Sequence, residues 1–348
     1  MTPDISTTSP TISVLMAAYH GAAFLRETID SLLAQTMPDF EIVVVDDCSK
    51  DDTPAVLAAI DDPRLRVFRA QRNGGPAVAR SIAMGHARGR FIAGLDQDDL
   101  CHPDRFARQL AYLDAHPDVV LVASEIETFD GERLRRGPFP GLADPDSIDW
   151  AMLLVNPIAW STVLMRGEAA RALTPFQRDD YRFAEDFDLH HRIRAQGRLA
   201  RIAEPLVRYR LHADGVSRTF EERMIDAAAR VLADRYGTLF GDKTLEAATL
   251  MSRHASARHA PPDAATLQRC GAVIGRLLDE HGGLAPGYAR PSASRLWWRI
   301  ANTGLRAGRY GVADLLRARP AFARMSDARH QMVGDAAIGA ARRIGRRG

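Results

Sequence analysis

Three carboxylates stand within four positions of the stretch GLDQDDLCHPDRF, residues 94 to 106: Asp96, Asp98 and Asp99. Charges this close repel one another, and they lose hydration if the chain packs around them. A hard cation such as Mg2+ or Mn2+ relieves both costs. It prefers oxygen ligands and commonly takes one or two carboxylates together with substrate phosphates. Asp96 and Asp98 are two residues apart, so on a strand they share a face, and on a turn both reach one ion. Capping accounts for the residues equally well, with Asp98 or Asp99 starting the helix that begins near HPDRFARQL. A second acidic group, Asp46 with Asp47, closes the apolar run EIVVV. A third, Glu185 with Asp186, opens FAEDFDLHHRI, where the helix dipole favours an acidic first turn whatever the function.

The elements that must position these groups follow from periodicity. ISVLMAA (12 to 18), EIVVVD (41 to 46), LRVFRA (65 to 70), FIAGLD (91 to 96) and VVLVAS (119 to 124) are short apolar runs and read as buried strands. AAFLRETIDSLLAQT, DCSKDDTPAVLAAI and GGPAVARSIAMGHARG carry helical spacing, caps and breakers between them, the last ending at Gly89. Alternating strands and helices predict an α/β domain with a mostly parallel sheet. Ligands of such sheets bind beyond the carboxyl ends of the strands, so two acidic strand ends should share one crevice. Beyond residue 220 the pattern is helix alone, with APPDAAT and GGLAPGYARPSAS as linkers. The predicted organisation is a catalytic domain over 10–220 and a helical, basic region over 221–348.

With 348 residues, 46% hydrophobic and 26% charged, the composition is that of a soluble globular protein. The net charge of +2 conceals an asymmetry: residues 290 to 348 hold thirteen arginines, no lysine and three aspartates, so the rest is net acidic. Three cysteines without metal-type spacing argue against a disulfide framework. The start MTPDISTTSPTIS lacks a signal peptide's basic and apolar regions, and no apolar run reaches membrane-spanning length. The expected setting is cytoplasmic, with peripheral contact at the inner face of the membrane left open.

Five segments, in order, resemble a known family. ISVLMAAYHG resembles an opening strand and turn that usually ends Pro-x-Tyr-Asn. FEIVVVDDCSKDDT resembles a "VDDGSTDGT" segment. RNGGPAVARSIAMGHARGRFIAGLDQDD resembles the block "NxGxxxARNxGxxxAxGxYIxFLDxDD". FAEDFDLHHRI resembles an "ED" motif with trailing "DLxxR", and YRLHADGVS a closing "YRxHxxxxS". The chain resembles a family 2 glycosyltransferase of the GT-A fold from Thr11 to Ser217, about 60% of its length.

The resemblance implies a Rossmann-like GT-A sheet flanked by helices, a nucleotide-diphosphate sugar donor, a divalent cation (Mn2+ or Mg2+) and inverting displacement at the anomeric carbon. It places Asp98, with Asp96, in the metal-binding DxD motif, and His212 near the diphosphate or metal. Asp186 corresponds to the base that takes the acceptor hydroxyl proton, with Glu185 orienting it. Asp47 corresponds to the aspartate that accepts from the nucleobase. Ala18, Tyr19, Asn73, Arg80 and Gln97 join the donor-binding set, Asn73 through a turn with Gly74 and Gly75. Arg80 reads equally as an exposed helix arginine, and Asp47 as a cap or Asx-turn. His190 and His191 read as exposed, one of them able to face the acceptor, and Trp160 as a buried aromatic or a sugar-stacking one. The sequence departs from the family at Ala18 and His20, which replace Pro and Asn, at Ser81, which replaces Asn, and before the ED motif, where Gly-Gly-Phe is missing.

Other readings fare worse. A receiver domain needs a lysine at a later strand end, and neither Lys50 nor Lys243 is placed for it. AAYHGAAFL lacks the dinucleotide fingerprint, and DDCSKDDT lacks the Asp-x-Asp-x-Thr spacing of haloacid-dehalogenase-like phosphatases. A nucleotidyltransferase and a non-catalytic carbohydrate- or nucleotide-binding protein on the same fold stay as alternatives. The acceptor expected is a glycan or lipid-linked glycan, and no nucleic-acid partner is expected. The basic region, with Trp297, Trp298, Leu305 and Tyr310 among arginines, either lies on an anionic membrane or packs onto the catalytic domain; packing is the favoured reading.

Overall fold

The computed structural model describes residues 9–130, 133–139, 141–212, 220–328 and 331–345. The chain divides into two compact units, Met1–Pro145 with Ile158–Thr219, and Asp146–Pro157 with Phe220–Gly348. The second unit thus takes a short segment from inside the stretch read as catalytic. In chain order the first unit holds β1 (Ile12–Ala18), α1 (Leu25–Leu33), β2 (Phe40–Asp46), α2 (Thr53–Ala58), β3 (Leu65–Arg69), α3 (Pro76–His86), β4 (Phe91–Gly94), β5 (Leu100–Cys101), α4 (Arg105–Ala115), β6 (Val119–Phe129) and β7 (Leu134–Arg136). α5 (Pro145–Met152) falls almost wholly in the second unit, and β8 (Leu164–Arg166), α6 (Gly167–Arg171), α7 (Glu185–Ile193) and β9 (Arg198–Arg210) complete the first.

The strands form one sheet in the order β3-β2-β1-β4-β8-β6-β9-β5, with β7 paired to β6. β3, β2, β1 and β4 are mutually parallel, as the alternating pattern predicts. Beyond β4 the sheet is mixed: β8 is antiparallel to β4 and β6, and β5 to β9, while β6 and β9 are parallel. β5 and β8 have two and three residues, too few to carry a period. β1 and β2 are buried on both faces, which is why they read as unbroken apolar runs. α1 turns Leu25, Ile29 and Leu32 into the same core, each side chain contributing on the order of 1.5–3 kcal/mol.

The register aligns Ala18 with Asp46 and Leu15 with Gly94, so β1, β2 and β4 end on one edge. Both acidic strand ends stand there. The edge is braced from beneath by Arg105, which is fully buried. Its guanidinium donates to the carbonyls of Gly94 and Val163, both at 2.9 Å, and to Gln109, whose amide reaches the carbonyls of Val122 and Thr162. At the other edge, Glu41 on β2 is also buried. It accepts from the Ser13 hydroxyl, the backbone N–H of Arg88 and the guanidinium groups of Arg66 and Arg88. The capping explanation of the acidic stretch does not hold. Asp104 is the N-cap of α4, and Asp98 and Asp99 precede β5.

The second unit contains α8 (Glu221–Tyr236), α9 (Thr244–Leu250) running into a π-helical turn at Met251–Ser256, α10 (Ala264–His281), α11 (Ala289–Arg306), α12 (Val312–Ala318) and α13 (Gln331–Gly345). The second half of GGLAPGYARPSAS, read as a linker, is helical: α11 starts at Ala289 and accommodates Pro291 in its first turn. Trp297, Trp298, Leu305 and Tyr310 are buried, so they do not face a membrane. Trp298 donates to the carbonyl of Arg324, and Tyr310 to that of Ala301, both within this unit. Among the described residues no helix is long and apolar enough to cross a membrane.

Candidate active site

The strand ends are joined by side-chain hydrogen bonds. Asp47, 2% exposed, accepts from the backbone N–H of Gly74 at 2.9 Å and of Gly75 at 2.7 Å, while its carbonyl accepts from the Asn73 amide at 3.0 Å. Its own N–H donates to the carbonyl of Ala18 at 2.8 Å. Ala18, Asp47 and Asn73, which the family resemblance assigns to the donor side, are therefore joined by one set of hydrogen bonds. Asp47 is not a helix cap, since α2 is capped at Asp52. Gln97 and Tyr19 bond reciprocally, the glutamine oxygen accepting from the Tyr19 N–H at 2.8 Å and its amide donating to the Tyr19 carbonyl at 3.0 Å. This leaves the Tyr19 ring 44% exposed and stacked on His20.

Arg80 is buried, not exposed on its helix. Its guanidinium pairs with Asp96 at 2.5 Å and with Glu185 at 3.4 Å, and lies 4.7 Å from the Trp160 ring centre. Trp160 is accordingly a buried wall. The N–H of Asp96 donates to Ser161 at 3.0 Å. One cation thus ties the end of β4 to the first residue of α7. Asp186 follows Glu185, and burial, then the charge of Glu185, push its carboxyl up to about 7. That is the range a general base or acid needs near neutral pH. His190, read as exposed, is fully buried, and burial with the neighbouring His191 lowers it to about 3, so it stays neutral. The amphipathic pattern of this short helix is masked by its polar buried residues, Asp188 among them, which takes Arg178 and Arg192 as partners.

Asp98 faces His212, with 2.7 Å between a carboxylate oxygen and Nε2. Burial first, then the charge of Asp96, raise the Asp98 carboxyl above its ordinary value, His212 opposing them. Asp99 is raised further by burial and by its two acidic neighbours. It accepts from the backbone N–H of Arg210, whose guanidinium reaches the Asp98 carbonyl and Glu27. Crowded oxygen donors short of positive charge suit Mg2+ or Mn2+. Asp98 retains 25% side-chain exposure, so such an ion can reach it. Among the described residues no three acidic, His or Cys side chains converge into a ready-made cage. Asp98 and His212 are the pair that fits it; Asp96 is engaged by Arg80. The end of the YRLHADGVS segment, from residue 213, lies outside the described residues.

Backbone geometry explains two departures from the family pattern. Cys48 stands where "VDDGS" has glycine and adopts φ 65°, and His20 stands in place of Asn with φ 49°. Both are left-handed, a region that Asn and His enter more readily than most residues and Gly enters freely. Phe183, in the segment before the ED motif, is left-handed too, at φ 77°. Sequence reasoning missed Ser161, Arg182 and Arg210. Arg210 is the arginine of the YRLH segment, a signal that could have found it, whereas Ser161 and Arg182 sit in no periodic or clustered pattern.

Comparison with known proteins bears on the fold and the family. Residues 13–158 match the model of Glycosyl transferase family 2. The succinoglycan biosynthesis protein ExoO of Rhizobium meliloti is 43% identical over 136 residues, 39% of this chain and 39% of that one. The match therefore spans well under half of that relative. The putative glycosyltransferase EpsE of Bacillus subtilis is 30% identical over 228 residues, covering 64% of this chain and 81% of EpsE. Among solved structures, S. aureus TarS in complex with UDP-GlcNAc superposes with TM-score 0.56 at 18% identity, covering 96% and 92% of the two chains. The mannosyltransferase PcManGT of Pyrobaculum calidifontis, in complex with GDP-Man and Mn2+, gives 0.53 at 18% identity, covering 86% and 88%. Their shared fold is that of the GT-A enzymes, and by sequence the chain belongs to glycosyltransferase family 2.

Proposed function

We propose that this protein moves a sugar from a nucleotide-diphosphate donor to a hydroxyl of a glycan or lipid-linked glycan, with inversion. The observation that supports it most is the Asp96–Arg80–Glu185 bridge, which holds a partly buried, raised carboxyl, Asp186, beside the strand end that carries Asp98. Asp47 keeps lone pairs free for a nucleobase N–H, and Asn73, Ala18, Tyr19 and Gln97 shape the donor side. Asp98 and His212 would hold the divalent cation, with Asp96 adjacent. Bound there, it supplies charge that offsets what grows on the departing diphosphate. Asp186 accepts the proton of the acceptor hydroxyl as that oxygen bonds to the anomeric carbon and the bond to the diphosphate breaks. Glu185, tied to Arg80, fixes the first turn of α7 and with it the direction of Asp186.

The names of ExoO and of TuaG of Bacillus subtilis, a putative teichuronic acid biosynthesis glycosyltransferase, support a polysaccharide acceptor. A reaction of that kind belongs in the cytoplasm, near the inner face of the membrane. With the tryptophans buried, membrane contact of the helical unit would fall to exposed arginines such as Arg306, Arg309 and Arg317 and to exposed apolar residues such as Leu316. The test is the product released from UDP-, GDP-, dTDP- and CDP-sugars with Mn2+ and an oligosaccharide acceptor. Nucleoside diphosphate is expected. Pyrophosphate from an NTP would instead identify a nucleotidyltransferase, and nucleotide binding without any release a binding protein.

A further inference from the structure

Several described arginines around the acidic edge are paired with carboxylates. Arg69 pairs with Asp46, Arg80 with Asp96 and Glu185, Arg210 with Glu27, and Arg178 and Arg192 with Asp188. Arg182 is exposed and, among the described residues, has no carboxylate within ion-pair reach. Its guanidinium is nevertheless placed. It lies over Gly75, so closely that a methyl group at that glycine would stand 2.8 Å from its central carbon. Gly75 is the residue whose N–H holds Asp47. The next residue, Phe183, adopts φ 77°, a conformation that costs a bulky side chain on the order of 1–3 kcal/mol and is retained where surroundings demand it. The strained residue thus turns an unneutralised cation back over the donor loop, four residues ahead of Asp186. A planar guanidinium with free donors takes an oxyanion, phosphate above all.

We infer that Arg182 is a donor-binding residue that binds a phosphate oxygen of the nucleoside diphosphate. The inference rests on the proposed donor site, and it predicts which part of the donor is felt. In full-length protein, Arg182→Gln weakens binding of whichever of UDP, GDP, dTDP and CDP the wild type binds by about tenfold, a change of about 1.4 kcal/mol. Binding of the corresponding free nucleoside is unchanged, and Arg182→Lys recovers part of the loss. The loss shrinks as salt rises, since the contact is exposed. Titrations in Mn2+ and in EDTA, with a thermal melt for each variant, provide the readout. Unchanged diphosphate affinity in Arg182→Gln overturns the inference. So does an equal loss for nucleoside and diphosphate, which would mean that Arg182 only shapes the Gly75 turn. Failure of the wild type to bind any of the four diphosphates overturns the donor site itself, a distinguishable result.

Discussion

Two buried acidic groups occupy opposite ends of the same strands and are treated in opposite ways. At the start of β2, Glu41 is surrounded by donors. Burial alone would raise its carboxyl, but bonds from Ser13, Arg88 and Arg66 outweigh burial and hold it below the usual range. At the carboxyl ends, Asp99 is buried and Asp98 and Asp186 are partly buried among other carboxylates with too few cations, and all three are raised. Burial is common to both. The difference is whether the fold supplies the counter-charge or leaves it to a ligand. A satisfied acid contributes to stability, whereas an acid left wanting is poised for chemistry.

Substitutions should separate the two ends. The largest effect is expected at Asp186→Asn, a loss of about 10³-fold in kcat with nucleotide affinity retained, measured by product release and calorimetric titration. Normal turnover would reject Asp186 as the base. Asp98→Asn should cost about 10²-fold and abolish the Mn2+ dependence of nucleotide binding. The pH profile comes next. A base works only when deprotonated, so log kcat/KM should fall with unit slope below about 7, and the fall should vanish in Asp186→Asn.

At the other end, Glu41→Gln should leave kcat within twofold and lower stability by about 2 kcal/mol in urea denaturation, since its arginine partners are partly solvated. Because the folded carboxyl is depressed, its contribution is full above the unfolded value near 4.5 and is lost as pH falls through the lower, folded one. The wild type should therefore lose more stability than Glu41→Gln on acidification below that value. The smallest effect belongs to Cys48→Gly, which should raise stability by about 1 kcal/mol by relieving the left-handed φ.

The parallel half of the sheet was legible because β1, β2 and β4 are buried on both faces and separated by helices with helical apolar spacing and clear breakers. The mixed half was not, since a two-residue strand such as β5 has no period. The acidic residues were legible from type and spacing. Their grouping was not: Asp96 turns to Arg80 and Asp98 to His212, a partition that neighbours at positions 96 and 98 conceal. Arg80 itself, on an Ala-rich helix, gave no sign of burial, because its partners are distant in sequence, Glu185 by 105 residues. His190 misled for the converse reason, a polar residue on a buried face.

The buried guanidinium of Arg105 has a kinetic consequence. β4 and β8 share three residue pairs, and this narrow seam joins the parallel half of the sheet to the mixed half. Arg105 spans it, binding a carbonyl from each side, one of them 58 residues along the chain. The side chain must give up its water to do so, and its acceptors exist only once both halves have formed and met. Completion of the acidic edge therefore depends on a non-local contact, which makes closure of this seam a slow step to expect in folding.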